Sequence, residues 1–141
     1  METTPKSKTW GDVSQLKSIK NPAESGGYEI THSTEELTFL GDSGQPDYAK
    51  ARIIFYPKAK IIELKSLKLY LYTFRMEIIS YERLLNVIYD DLMSVYAPDR
   101  LRLVLTFSTR GGFDSELVKD SDWKINGGKE KYKDWLGKSQ P

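Results

Sequence analysis

The apolar residues of this chain change their spacing twice, and that change limits the folds open to it. Residues 48–57, "YAKARIIFYP", read as a strand closed by Pro57, which cannot continue a ladder. From Leu64 the repeat becomes three and four. Leu64, Leu67, Leu71 and Phe74 then share one face of a helix. A second helix over residues 80–96 carries Tyr81, Leu84, Leu85, Ile88, Leu92 and Val95 on its apolar side. Ser80 is its expected N-cap, and Pro98 stands just past its end. In "LRLVLTFS", residues 101–108, the period returns to two, with Leu101, Leu103, Leu105 and Phe107 on one face. Two helices set between strand pairs define a compact α+β unit.

The flanking segments fit that frame. "YEITHSTEELTFL", residues 28–40, alternates loosely, as one or two strands with a bulge or turn inside. "GDSGQPD", residues 41–47, is turn chemistry. "KIIEL" is expected to extend the pairing of the strand before it. "TRGGF" turns the chain out of the last long strand, and another strand follows. The body is expected to span residues 28–122. Residues 1–27 read as a flexible N-terminal arm that Trp10, Leu16 and Ile19 partly anchor. Residues 123–141 read as a charged extension with Trp123, Tyr132 and Trp135 as docking residues.

Composition removes several kinds of chemistry. The chain has 141 residues, which suits one domain. It has no cysteine, so it offers no disulfide, no thiolate metal ligand and no thiol nucleophile. His32 is the single histidine, so histidine-rich zinc clusters are excluded too. Lys and Arg number 21 against 20 Asp and Glu, a net charge of +1. Such a balance gives no bulk attraction for nucleic acid. No segment reaches the ~20 apolar residues that span a bilayer, and the N-terminus has no apolar run of a secretory signal. The expectation is a soluble, cytoplasmic protein.

The candidate functional residues fall in three places. "ELKSLKLYLYTFR", residues 63–75, puts Lys65 and Lys68 three apart on one helix face, where the first-turn N–H groups also point outward. That is a seat for phosphate groups; it is also what a solvated helix start looks like. Arg110, followed by Gly111 and Gly112, adds a positive group where the backbone can come close. Glu82 lies in the first turn of the second helix, where a carboxylate complements the dipole. It is also able to accept two N–H bonds from a planar amidine edge. Asp47 belongs to a turn and reads equally as an Asx-type turn residue or as an acid–base group.

Taken together, "GQPDYA", "ELKSLKLYLYTFR" and "STRGGF" resemble the nitrile reductases that convert 7-cyano-7-deazaguanine to its aminomethyl form in queuosine biosynthesis. The likeness covers about residues 35–113. It implies the tunnelling fold, in which β-β-α-α-β-β subunits assemble into homo-oligomeric rings or stacked rings with active sites at their interfaces. It implies NADPH as cofactor, held by the motif that here contains Glu63, Lys65 and Lys68, with Arg110, Gly111 and Gly112 near the interface. It implies that Glu82 holds the heterocycle, with Tyr81 and Ser66 beside it, and that Asp47 acts as proton donor.

Two departures stand out against the resemblance. The family's nucleophilic cysteine falls at about Leu40 or Gly41, in a stretch, "FLGDSGQPD", that contains no replacement for a thiolate. The family's histidine before the glutamate is Tyr81, within an apolar "MEIISYER". A tyrosine stacks on a ring or bonds to it, but it is a different donor. Three outcomes follow from these residues. One is a reductase relative working without a covalent thioimide. Another is an acid–base enzyme, such as a cyclase or isomerase, using Asp47, Glu82 and Tyr81. The third is a ligand-binding or scaffold subunit without catalysis. No metal site is expected.

Overall fold

The computed structural model describes residues 9–24 and 26–122. Its main sheet is antiparallel, with four strands in the order β2-β3-β5-β6: β2 (Ile30–Leu40), β3 (Pro46–Tyr56), β5 (Arg100–Arg110) and β6 (Phe113–Asp120). Between the hairpins run α1 (Leu64–Tyr72) and α2 (Tyr81–Tyr96). The expected β-β-α-α-β-β order is the observed one. The helices lie on one face of the sheet. Leu67, Tyr70, Leu71, Leu84, Leu85, Ile88 and Leu92 pack there against Phe39, Ile53, Phe55, Leu101, Leu103 and Leu105 in a single core.

The loose alternation of β2 has a simple cause. The register with β3 shifts between Thr34 and Leu37. Before the shift the half-buried positions are even-numbered, Ile30, His32 and Thr34; after it the buried ones are odd, Leu37 and Phe39. A bulge reverses the parity without ending the strand. Both hairpin strands then deliver their ends to one region. Leu40, Asp47 and Arg110 come together at the β2–β3 turn and the β5–β6 turn. That second turn has two residues, Gly111 and Gly112, at φ 57° and 84°, the double left-handed conformation of a type I′ hairpin.

Both helices start as their sequences suggest. Ser80 accepts the Arg83 N–H and caps α2. Ala97, in the left-handed conformation at φ 42°, ends it before Pro98. Leu67 and Leu71 of α1 and Phe74 just past its end are buried, but Leu64 is exposed and Tyr70 is the further buried residue of the helix. The Tyr70 hydroxyl donates to Asp91 of α2 at 2.5 Å, tying the helices together.

The N-terminal arm differs from its expected form. Residues 13–15 make a short 3₁₀ turn. Residues 18–20, β1 (Ser18–Lys20), then pair antiparallel with β4 (Lys60–Ile62) in a second, two-stranded sheet. So "KII" extends a different pairing from the one expected. Leu16 is buried and Trp10 packs on the core, whereas Ile19 is exposed. Asn21 is fully buried and donates to the Lys58 carbonyl. From Thr9 onward, therefore, the described part of the arm is built into the domain. The proposed extension over residues 123–141, with Trp123, Tyr132 and Trp135, lies outside the described residues.

Candidate active site

Asp47, at the start of β3, is the centre of a polar cluster. It is buried, at 4% exposure. Its Oδ2 accepts from Arg110 Nη1 at 2.5 Å and from the Tyr81 hydroxyl at 3.2 Å. Its Oδ1 accepts the Tyr48 N–H at 2.9 Å, with the Ser108 hydroxyl at 3.4 Å. All four contacts treat the carboxyl group as an acceptor. Arg110 is pushed above the usual guanidinium range, first by its hydrogen bond to Tyr81 and also by the Asp47 charge.

Tyr81 is fixed by stacking. Its ring lies on Phe107, with centroids 3.8 Å apart and planes 9° apart, and it meets Phe39 edge-on at 5.9 Å. A ring held on two sides delivers its hydroxyl to one place. Tyr81 also lines a cavity of about 590 Å³, together with Phe39, Gly41, Gln45, Arg110 and Phe113, among others. The size suits a small heterocycle. Phe113 is exposed and forms part of its rim.

Gly41 lines this cavity and, with Leu40 before it, stands where the family resemblance places a thiol. Leu40 is bridged to Ile78 of the inter-helix loop, and its backbone bonds to Glu77 and Ile79. Gly41 has no side chain, and its space is filled. A Cβ there would meet Gln45 Nε2 at 2.5 Å and Arg110 Nη2 at 3.0 Å. The turn hydrogen bond from Gly41 N–H to Gln45 O, 2.8 Å, keeps the two residues together. Sequence reasoning did not single out Gln45, because nothing in a turn sequence says where a glutamine side chain folds back.

The other predicted residues lie elsewhere. Glu82 follows Tyr81 but is exposed and does not line the cavity. Glu63 is the N-cap of α1: its side chain accepts the Ser66 N–H at 2.8 Å. Ser66 is buried, accepting the Lys17 N–H at 2.9 Å and donating to the Glu63 carbonyl at 2.6 Å. Both are used in joining the arm to α1, and neither lines the cavity beside Tyr81. Lys65 and Lys68 are exposed. Lys68 borders a second cavity, of about 280 Å³, with His32, Glu36, Leu64 and Tyr72. The two cavities share no lining residue.

The fold defines a class, and comparison with known proteins gives the same one. The chain resembles the solved structure of an archaeosine synthase QueF-Like in the apo form, with a TM-score of 0.63 over 67% of this chain and 94% of that one, at 16% identity. That likeness shows the α+β tunnelling fold. A family model described as QueF-like protein matches residues 46–124. Proteins named NADPH-dependent 7-cyano-7-deazaguanine reductase align well. The one from Nitrosomonas europaea is 38% identical over 75% of this chain and 77% of its own. Those from Thermomicrobium roseum and Prochlorococcus marinus are 41% and 40% identical, over 74% and 80% of this chain and 82% and 84% of theirs. The chain belongs to the QueF-like family. No described helix is long and apolar enough to cross a membrane.

Proposed function

We propose that this chain is an enzyme that binds a deazapurine-like heterocycle in the cavity beside Tyr81 and moves a proton on it, without a covalent thioimide. One observation carries the reading. The Tyr81 hydroxyl donates to the buried Asp47 carboxylate, which Arg110 also holds, and Tyr81 and Arg110 line one cavity. In that position Tyr81 takes a proton from the ligand while passing its own to Asp47, and Arg110 stabilises the oxygen as charge develops. The reverse step returns the proton. The names of the relatives supply the ligand class, and the absence of cysteine removes the sulfur nucleophile from this chain.

Glu82 supports the same site from outside. An exposed carboxylate one residue from Tyr81 suits a ring bound across an interface between subunits of a homo-oligomeric ring, the assembly that the family resemblance implies.

A second reading, reduction with NADPH, is favoured by the relatives' names and by Lys65 and Lys68. Both lysines are exposed on α1, Lys68 with its ammonium over the Tyr72 ring, and their charge fits phosphate groups. The cofactor, when bound, would supply hydride to the ligand. Within one chain Lys68 borders a different cavity from Tyr81, so this reading needs α1 of a second subunit beside the first one's Tyr81.

The test is incubation of the protein with a panel of 7-deazaguanines, with and without NADPH. Cofactor absorbance and ligand mass would be followed. A changed ligand with NADPH untouched is the expected result. NADPH consumption matched by hydrogen gained on the ligand would replace this reading with the second one.

A further inference from the structure

The N-terminal arm grips the chain on both sides of Tyr81. Ahead of it, Glu77 Oε2 accepts the Gly11 N–H at 2.6 Å. Beyond it, the Arg83 guanidinium lies over the Trp10 ring, 5.4 Å from its centroid. A third contact, from the Asp12 N–H to Thr73 Oγ1 at 2.9 Å, ties the arm to the end of α1. Residues 77–83 lie between the two outer holds, and Ile79, Ser80 and Tyr81 among them line the cavity. The same segment is bound to β2 and to α2. The Glu77 carbonyl accepts the Leu40 N–H at 2.9 Å, and the Ile79 N–H donates to the Leu40 carbonyl at 3.1 Å. The Arg83 N–H donates to Ser80 Oγ.

We propose that residues 10–12 are a strap for the site. Seated, they hold residues 77–83 so that the Tyr81 hydroxyl meets Asp47; released, they let that wall of the cavity loosen. This rests on the Tyr81 reading of the cavity. Trp10, Gly11, Glu77 and Arg83 do not line it, so they are positioning residues that act through Tyr81. The bond they serve is sensitive to position: at 3.2 Å it is long for one between two oxygens, and a small shift of the wall breaks it. The stack of Tyr81 on Phe107 resists lifting of the ring more than sliding across its neighbour.

The strap can open without unfolding the domain. Its bond to Thr73 is exposed, and a segment held by few contacts opens ahead of the core. Its seat depends on Gly11, whose bare Cα lies against the fully buried Phe74 ring at φ +68°. A Cβ there would come within 2.5 Å of that ring.

The experiment is NMR of the full chain with ¹³C-labelled tyrosine rings, read beside amide exchange and a titration with 7-cyano-7-deazaguanine, the compound in the relatives' names. Tyr81→Phe assigns the Tyr81 signal, and Tyr56, at the far end of β3, is the control. In Gly11→Ala, amide exchange over residues 10–12 should quicken. The Tyr81 signal should move or broaden while that of Tyr56 stays, and affinity should fall about 10-fold, as the loss of one well-placed hydrogen bond implies. Thr73→Val replaces the hydroxyl that holds Asp12 with a methyl group and should give the same changes in smaller degree. Thr73→Ser keeps the hydroxyl and should give none. The strap is overturned by an unchanged Tyr81 signal in Gly11→Ala, by an arm as protected there as in wild type, or by an unchanged affinity where wild type binds. Should Gly11→Ala not fold, a Tyr81 signal that is the same in Thr73→Val and Thr73→Ser overturns it, and a signal that differs supports it. Failure of wild type to bind the probe counts against the heterocycle reading alone, and the strap is then decided by the Tyr81 signal.

Discussion

Arg110 Nη1 lies 2.5 Å from Asp47 Oδ2 and so joins the last residue of β5 to the second residue of β3. The contact places a positive group and a buried carboxylate at the mouth of the two hairpins, with Tyr81 reaching in from α2. Removing Arg110 should leave Asp47 buried among neutral donors only. Arg110→Ala is expected to lower the midpoint of thermal unfolding, and Asp47→Asn in the same background should restore part of the loss. A double-mutant cycle on the melting curves checks the coupling.

Tyr81→Phe separates the ring from its hydroxyl. The ring still stacks on Phe107, so stability should change by no more than about 1 kcal/mol, the usual worth of one hydrogen bond. Turnover should fall by about 10²–10⁴-fold, the range for loss of a general acid–base group. Denaturant unfolding and a rate assay, run on the same preparation, check both halves.

His32 titrates below its usual value of 6.5 because burial between β2 and α1 disfavours its charged form. The unfolded chain therefore binds the proton more readily. Stability is fully present above pH 6.5 and declines as pH falls from there through the lowered folded value. Since no other histidine contributes, His32→Gln should flatten this part of the profile. Urea melts between pH 7.5 and about pH 5 would show it.

Gly11 shows whether the arm is structural. Its φ is +68° and a Cβ there would lie 2.5 Å from the Phe74 ring, while its N–H donates to Glu77 at 2.6 Å. Gly11→Ala should detach this segment at a cost of about 1–3 kcal/mol. Faster amide exchange in residues 10–20, with the β3–β5 ladder still protected, is the expected signature.

Lys65 and Lys68 test the cofactor. If the outer face of α1 holds the phosphates of NADPH, Lys68→Glu should weaken its binding by more than 10-fold, and salt should weaken wild-type binding in the same direction. A titration in low and high salt reads both.

Much of this architecture was legible because local pattern and tertiary burial agree. Leu84, Leu85, Ile88 and Leu92 form a helical stripe in the sequence and a buried stripe in the fold. The parity break of β2 shows in the spacing of Ile30, Leu37 and Phe39. β1 was not legible: its three residues are all exposed, so its pairing with β4 leaves no hydrophobic mark. The site was legible residue by residue and not as an assembly. Asp47, Tyr81 and Arg110 each have recognisable chemistry, but their meeting depends on the β3–β5 register, which sequence periodicity does not determine. The roles expected of Glu63 and Ser66 came from the family motif, and the local demand for a helix cap takes up both side chains.

The most direct test of the central claim is a calorimetric titration of wild type and Tyr81→Ala with 7-deazaguanine ligands. Saturable uptake near one per subunit in the wild type, lost in Tyr81→Ala while the fold persists, is the result this account predicts. Uptake that is unchanged by Tyr81→Ala would contradict it and move the binding site away from the Asp47–Tyr81–Arg110 cluster.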